Sequence, residues 1–279
     1  MKITKNTAIA GKHGKPILTD VFFIENQNPK PILIFCHGYK GFKDWGAWDL
    51  MANAFAENGF FFIKFNFAFN GGTPEQPIDF PDLEAFGNNN YTKELDDLET
   101  IIDWISENPV YKNETNTNSI NVMGHSRAGG IVSIKSEADS RIKKVISLAG
   151  VSDYSNRYPI SGDAEQWKKD GVKYVENGRT KQQMPHFYQF YEDFITNAER
   201  LDIKRAVSNL NKPFLIIHGD EDTTVRIEEA HNLHSWKPDS VSKIIAGANH
   251  VFGASHPWGK SNLPTHLKQV VETTIAFLE

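Results

Sequence analysis

Ser119-Ile-Asn-Val-Met-Gly-His-Ser-Arg-Ala-Gly-Gly-Ile-Val-Ser-Ile134 holds the sharpest change of pattern in the chain. Ile120 and Val122 alternate with polar neighbours and run into Met123, which reads as a short strand. Gly124, Ala128, Gly129 and Gly130 are small, and Ile131, Val132 and Ile134 then begin a helix-like spacing. Ser126 falls at the reversal between the two. A strand turning sharply into a helix holds such a serine in a cramped backbone with its hydroxyl exposed. Small neighbours let the two arms of the turn approach. The unpaired N–H groups of the new helix face the same spot and suit a developing negative charge. A Gly-rich turn with an incidental serine would read the same way.

This stretch resembles the nucleophile elbow of the α/β-hydrolases. The usual pattern is Gly-x-Ser-x-Gly, and here the fifth position is Ala128. The resemblance implies an α/β fold, a mostly parallel central sheet with helices on both faces. It also implies a serine nucleophile, a histidine base and an acid in the chain order Ser…Asp…His. That order is met by Ser126, Asp222 and His250, each placed just after a predicted strand. Parallel strands would bring all three to one sheet edge.

Working outward, Pro31-Ile-Leu-Ile-Phe-Cys36 is an apolar run suited to a strand buried on both faces. It opens into His37-Gly38-Tyr39-Lys40-Gly41. By the resemblance, the backbone N–H groups of Tyr39 and Arg127 form the oxyanion hole, and His37 is structural. Residues 60–67 read as a second buried strand, 144–150 as a third, 212–217 as a fourth and 242–245 as the last. An edge hairpin is expected over 3–25, with helices over 48–57, from Thr92 onward and over 267–278. On the helix from Thr92, Leu95, Leu98, Ile101, Ile102 and Ile105 form the apolar stripe. Asp96 and Asp97 read as a solvated face. The turn-rich stretch 70–92 reads as a long loop near the site mouth.

Several residues compete for the acid and base roles. Asp153 follows the third buried strand and rivals Asp222; Asp220 and Glu221 are its near neighbours, and Asp220 reads as a turn cap. His256, His231 and His234 compete with His250, the last two on a predicted surface helix. Residues 152–208 break the βα rhythm and carry Trp167, Tyr174, Phe187, Tyr188, Phe190, Tyr191 and Phe194. They read as a mostly helical cap or lid inserted into a core of 1–151 and 209–279. Its aromatics either pack among themselves or line an aryl pocket.

The 279 residues are ordinary in composition, 39% hydrophobic and 23% charged, with net charge −5. The scattered basic residues do not make the face that nucleic acid needs. Cys36 is the only cysteine, so no intrachain disulfide is expected. No apolar run is long enough for a signal or a membrane span, and a cytoplasmic location is the default. No His, Cys and carboxylate group has zinc spacing, so neither a metal nor another cofactor is expected.

Within the superfamily, the elbow and the His37–Trp45 loop look most like the dienelactone-hydrolase and prolyl-oligopeptidase side. That branch includes bacterial carboxylesterases and cinnamoyl (feruloyl) esterases. Dienelactone hydrolases use cysteine where this chain has Ser126, which points away from dienelactone chemistry. The absence of an N-terminal propeller points away from prolyl-oligopeptidase architecture. The resemblance implies a serine hydrolase of small-molecule carboxylic esters. A peptidase or amidase of the same fold, or a hydrolase-fold binding protein without catalysis, are the alternatives.

Overall fold

A computed structural model describes residues 1–279. The chain begins with an antiparallel hairpin, β1 (Lys2–Ala10) and β2 (Pro16–Phe23), at one edge of the sheet. It continues through β3 (Lys30–Cys36), α1 (Trp48–Glu57), β4 (Phe61–Phe65), α2 (Leu83–Gly87) and α3 (Tyr91–Glu107). Then come β5 (Thr115–His125), α4 (Arg127–Ala138) and β6 (Ile142–Leu148). The insertion holds α5 (Ala164–Asp170), β7 (Val172–Glu176), β8 (Gln183–Phe187), α6 (Gln189–Thr196) and α7 (Ile203–Ser208). The chain closes with β9 (Phe214–Gly219), α8 (Ile227–Trp236), β10 (Val241–Ile245) and α9 (Thr265–Leu278).

Eight strands form one sheet in the order β1-β2-β4-β3-β5-β6-β9-β10. From β4 to β10 every pairing is parallel, and only β1–β2 and β2–β4 are antiparallel. Alternate residues face opposite cores, as a period of two requires. Ile32, Ile34, Ile120 and Val122 face the larger core with α3, α4 and α7. Leu33, Phe35, Met123 and Ile217 face the smaller core with α1 and α9. Helix α4 is buried on all sides from Arg127 to Ser136, because α3 and α7 cover the face it turns away from the sheet. No helix is long and apolar enough to cross a membrane.

The edge hairpin, the buried strands and the helices over 48–57 and 267–278 stand where the sequence placed them. Two expectations need correction. Residues 152–208 are not mostly helical: β7 and β8 form a separate two-stranded antiparallel sheet. The half-buried Lys173 and the exposed Tyr174 and Glu176 gave β7 no apolar run to read. Helix α7 lies against α4, and its Ile203, Ala206 and Val207 join the larger core.

The second correction concerns α3, where Asp97 and Glu94 are buried. They lie at helical spacing from Leu98 and Ile101 and so share the apolar side. Asp97 Oδ2 accepts the Ala68 N–H at 2.7 Å, and Glu94 Oε1 accepts from Asn89 at 2.7 Å and Arg127 at 3.2 Å. Residues 70–82 pack beneath the β7–β8 hairpin, where Phe80, Phe86 and Met184 meet Phe42.

A charged cluster fixes the loop after β3. Lys43 and Lys64 are fully buried and reach Asp20 at 2.8 and 2.9 Å; Lys64 also reaches Asp44 at 2.8 Å and Asp49 at 2.7 Å. Asp20, Asp44 and Asp49 come close enough together to hold a metal ion, but the three ammonium groups of Lys5, Lys43 and Lys64 already pair with them. Buried charges need such partners. The result pins residues 43–44 and with them the turn that carries Tyr39.

Candidate active site

Ser126 stands between β5 and α4 with φ 58° and ψ −120°. That conformation costs a non-glycine residue about 1–3 kcal/mol, and the surroundings must enforce it. They do so by close approach. A Cβ at Gly124 would lie 2.1 Å from the Ala128 carbonyl oxygen, so the strand and helix arms meet only because residue 124 has none. A Cβ at Gly38 would lie 2.8 Å from Ser126 Cβ, which is how near the loop after β3 runs. Ser126 N–H donates to Leu148 O at 2.9 Å, tying the turn to β6. Ala128, the departure from the usual motif, is fully buried without disturbing this arrangement.

The loops after β9 and β10 deliver the other two predicted residues. His250 Nδ1 donates to Asp222 Oδ2 at 2.7 Å. Asp222 Oδ1 accepts the N–H groups of Thr224 and Val225, each at 2.8 Å. Burial pushes the Asp222 carboxyl up, but His250 and those two N–H groups outweigh it and hold it below the usual range. With Nδ1 committed to Asp222, Nε2 of a neutral His250 keeps a free lone pair. Ser126 and His250 line one cavity of about 270 Å³. Ser126 Oγ makes no hydrogen bond to the imidazole, a looseness common in ligand-free sites.

The Tyr39 N–H has no hydrogen-bond partner in the protein. Arg127 is the first residue of α4, so its N–H has no carbonyl a turn earlier. Both donors flank Ser126. The Arg127 side chain turns inward, to Glu94 and to the ring of Tyr39, 4.2 Å from its centroid.

The rival residues are occupied elsewhere. Asp153 accepts from Ser155 and Asn156 within its own turn. Asp220 accepts the Gly247 N–H at 2.7 Å, linking the acid loop to the histidine loop, and Glu221 is exposed. His256 Nδ1 accepts the Gly46 N–H at 2.9 Å. His231 is exposed and His234 meets Ser240 at 2.8 Å. His37 donates from Nδ1 to Gly38 O at 2.9 Å, and burial lowers its pKa to about 4.

Three further histidines support the site without having been assigned a role from the sequence. His125 donates from Nε2 to the His250 carbonyl at 2.9 Å, and burial lowers its pKa to about 3. His218 donates to Val225 O at 2.7 Å and braces the acid loop. His186, in β8, accepts the Tyr39 hydroxyl at 2.9 Å and so joins the insertion to the oxyanion loop. The position of His125 inside the elbow, and of His218 four residues before Asp222, could have signalled such roles; nothing local marks His186.

A second cavity, of about 300 Å³, opens on the other side of Ser126 and is lined by Tyr39, Tyr91, Tyr154, Tyr158, Val151 and Val225 among others. The first cavity carries Trp45, Trp48, Lys40 and, from the β7–β8 turn, Asn177 and Arg179.

The family model described as the alpha/beta hydrolase fold matches residues 31–177. No curated protein sequence matches the chain. Solved structures resemble it over nearly its whole length at low identity. Est1E from Butyrivibrio proteoclasticus, with ferulic acid bound, is 16% identical, with a TM-score of 0.74 over 98% of both chains. The esterase domain of a Rhodothermus marinus protein is 17% identical, with a TM-score of 0.66 over 99% of this chain and 98% of that one. A puromycin-hydrolyzing peptidase of Mycobacterium tuberculosis is 15% identical, with a TM-score of 0.64 over 99% of this chain and 39% of that one. An esterase and a peptidase on one scaffold leave the scissile bond open.

Proposed function

Because the chain belongs to the alpha/beta hydrolase fold family, we propose that it is a serine hydrolase of carboxylic esters. The observation that carries this reading is the 2.7 Å His250–Asp222 hydrogen bond, formed at the cavity into which the strained Ser126 turn opens. Ser126 Oγ attacks the ester carbonyl as His250 Nε2 takes its proton. Asp222 holds the imidazole in the required tautomer and stabilises the imidazolium. The N–H groups of Tyr39 and Arg127 receive the oxyanion; one such donor contributes about 3 kcal/mol to the transition state. The tetrahedral intermediate collapses, the C–O bond to the alcohol breaks, and His250 returns the proton to the departing oxygen. Water then attacks the acyl-serine by the same route and releases the acid.

The four tyrosines of the second cavity support an aryl or cinnamoyl group on one side of the ester, consistent with the ferulic acid bound by Est1E. Turnover of p-nitrophenyl butyrate by wild type and Ser126→Ala tests the mechanism. The variant should lose about 10⁵–10⁶ in kcat, and a fluorophosphonate should label only the wild type. Equal turnover would remove Ser126 from its role. A higher kcat/KM for methyl ferulate than for methyl butyrate supports the aryl preference, and the reverse ends it. An aminoacyl anilide cleaved faster than any ester would move the activity to amides.

A further inference from the structure

Lys40 is a cation beside the candidate nucleophile with nothing to neutralise it. The Gly41 N–H donates to Gly38 O at 3.0 Å, closing a four-residue turn with Tyr39 and Lys40 at its centre. Lys40 adopts φ 54°, the left-handed conformation that such a turn reserves for Gly or Asn. A lysine there presents its side chain at the cavity that holds Ser126 and His250. The ammonium has no carboxylate within 4 Å and no hydrogen-bond partner, although the side chain is half-buried; it lies 5.3 Å from the Tyr39 ring centroid.

The rest of that cavity does not supply a counter-charge. No Asp or Glu lines it. Arg179, the other cation on its wall, is paired with Asp79. His37 and His125 are neutral, their pKa values pushed down by burial. Asp222 lies behind His250 and is committed to it and to two N–H groups. An uncompensated, partly desolvated ammonium is held for an anion.

We propose that the ester carries a carboxylate on the side that occupies this cavity, and that Lys40 is the residue that selects it. A carboxylate matches the one unpaired positive charge; a phosphate dianion would bring one charge too many. The proposal rests on the serine-hydrolase reading and deepens it, giving one side of the scissile bond a charge while the tyrosine-lined cavity takes the other side.

Two pairs of nearly isosteric esters test it, one for each side of the bond: p-nitrophenyl hemiglutarate against p-nitrophenyl 5-methylhexanoate, and O-butyryl glycolate against isobutyl butyrate. The wild type should prefer the anionic member of one pair by about tenfold or more in kcat/KM, since losing a charged partner in a partly desolvated site has effects of that size. Lys40→Met, which removes an ammonium with no hydrogen-bond or ion-pair partner in the protein, should bring that ratio to about one, and Lys40→Arg should restore it in part. A wild-type preference for the neutral ester in both pairs would overturn the proposal. So would an anionic preference that survives in Lys40→Met. If the wild type hydrolysed none of the four esters and a fluorophosphonate left Ser126 unlabelled, the hydrolase reading itself would fall, and the proposal with it.

Discussion

Strands β4 and β9 bury every residue, whereas β7, in the insertion, buries none. The two regions face each other across Ser126, and they are held by different means. The sheet edge is set by apolar strands and by backbone approaches too close for a side chain. The insertion is set by rings and single polar anchors: Trp167 Nε1 donates to His186 O at 2.8 Å, His186 meets Tyr39, and Arg179 pairs with Asp79. Burial on both faces leaves a continuous apolar run that can be read in one dimension. Anchors between residues 19 to 147 positions apart leave no local pattern.

That contrast explains what was legible. Ile32 to Cys36 and Phe214 to Ile217 announced the sheet because strands packed on both faces carry mostly apolar side chains. The candidate residues Ser126, Asp222 and His250 could be picked out because each follows such a strand. The hairpin β7–β8 was not, since β7 buries no residue and the buried run of β8 is only Met184, Pro185 and His186. Asp97 was misread, and the burial of Glu94 went unseen, for a related reason: acidic residues on an amphipathic helix usually face water, and their partners at Ala68 and Arg127 come from distant segments. The pairing of Lys43 and Lys64 with Asp20 was equally invisible.

If the sheet edge depends on close backbone approach, Gly124→Ala should do the most damage. The new methyl would sit 2.1 Å from a backbone oxygen and 2.5 Å from its carbon, which cannot rotate away. The loss should exceed about 4 kcal/mol, read as failure to accumulate folded protein or as a collapse of the urea midpoint. Near-native stability and activity would mean that the elbow is far more plastic than its contacts suggest.

The insertion should answer less severely but in the same transition. Trp167 is 2% exposed, lies 3.9 Å below the Lys173 ammonium and belongs to the larger core despite its place in the insertion. Trp167→Ala should cost about 3 kcal/mol, the low end for a buried aromatic, since neighbouring Tyr188 and Tyr191 can partly fill the space. It also loosens the His186 carbonyl, so kcat/KM should fall through the Tyr39 loop. One lowered unfolding transition is expected. Two separate transitions would make the insertion an independent unit, and the contrast would then be one of stability as well as legibility.

A graded, pH-dependent effect sharpens the core side of the comparison. Burial raises the Asp97 carboxyl to about 8, and the charges of Glu94 and Asp96 add to this, while the Ala68 N–H pulls the other way. The folded protein therefore keeps a proton that the unfolded chain releases near pH 4. Between those values the folded state binds more protons, so stability falls as pH rises, by up to about 1.4 kcal/mol per unit from this group. Below pH 4 both states are protonated and the contribution is level. Asp97→Asn keeps an oxygen for the Ala68 N–H and removes the titration. Urea unfolding at pH 5, 6, 7 and 8 should show a shallower decline in the variant, which should overtake the wild type toward pH 8. Parallel curves for the two proteins would show that the Asp97 carboxyl is already ionised in the fold. The larger core would then tolerate a charge where its packing implies it holds a neutral acid.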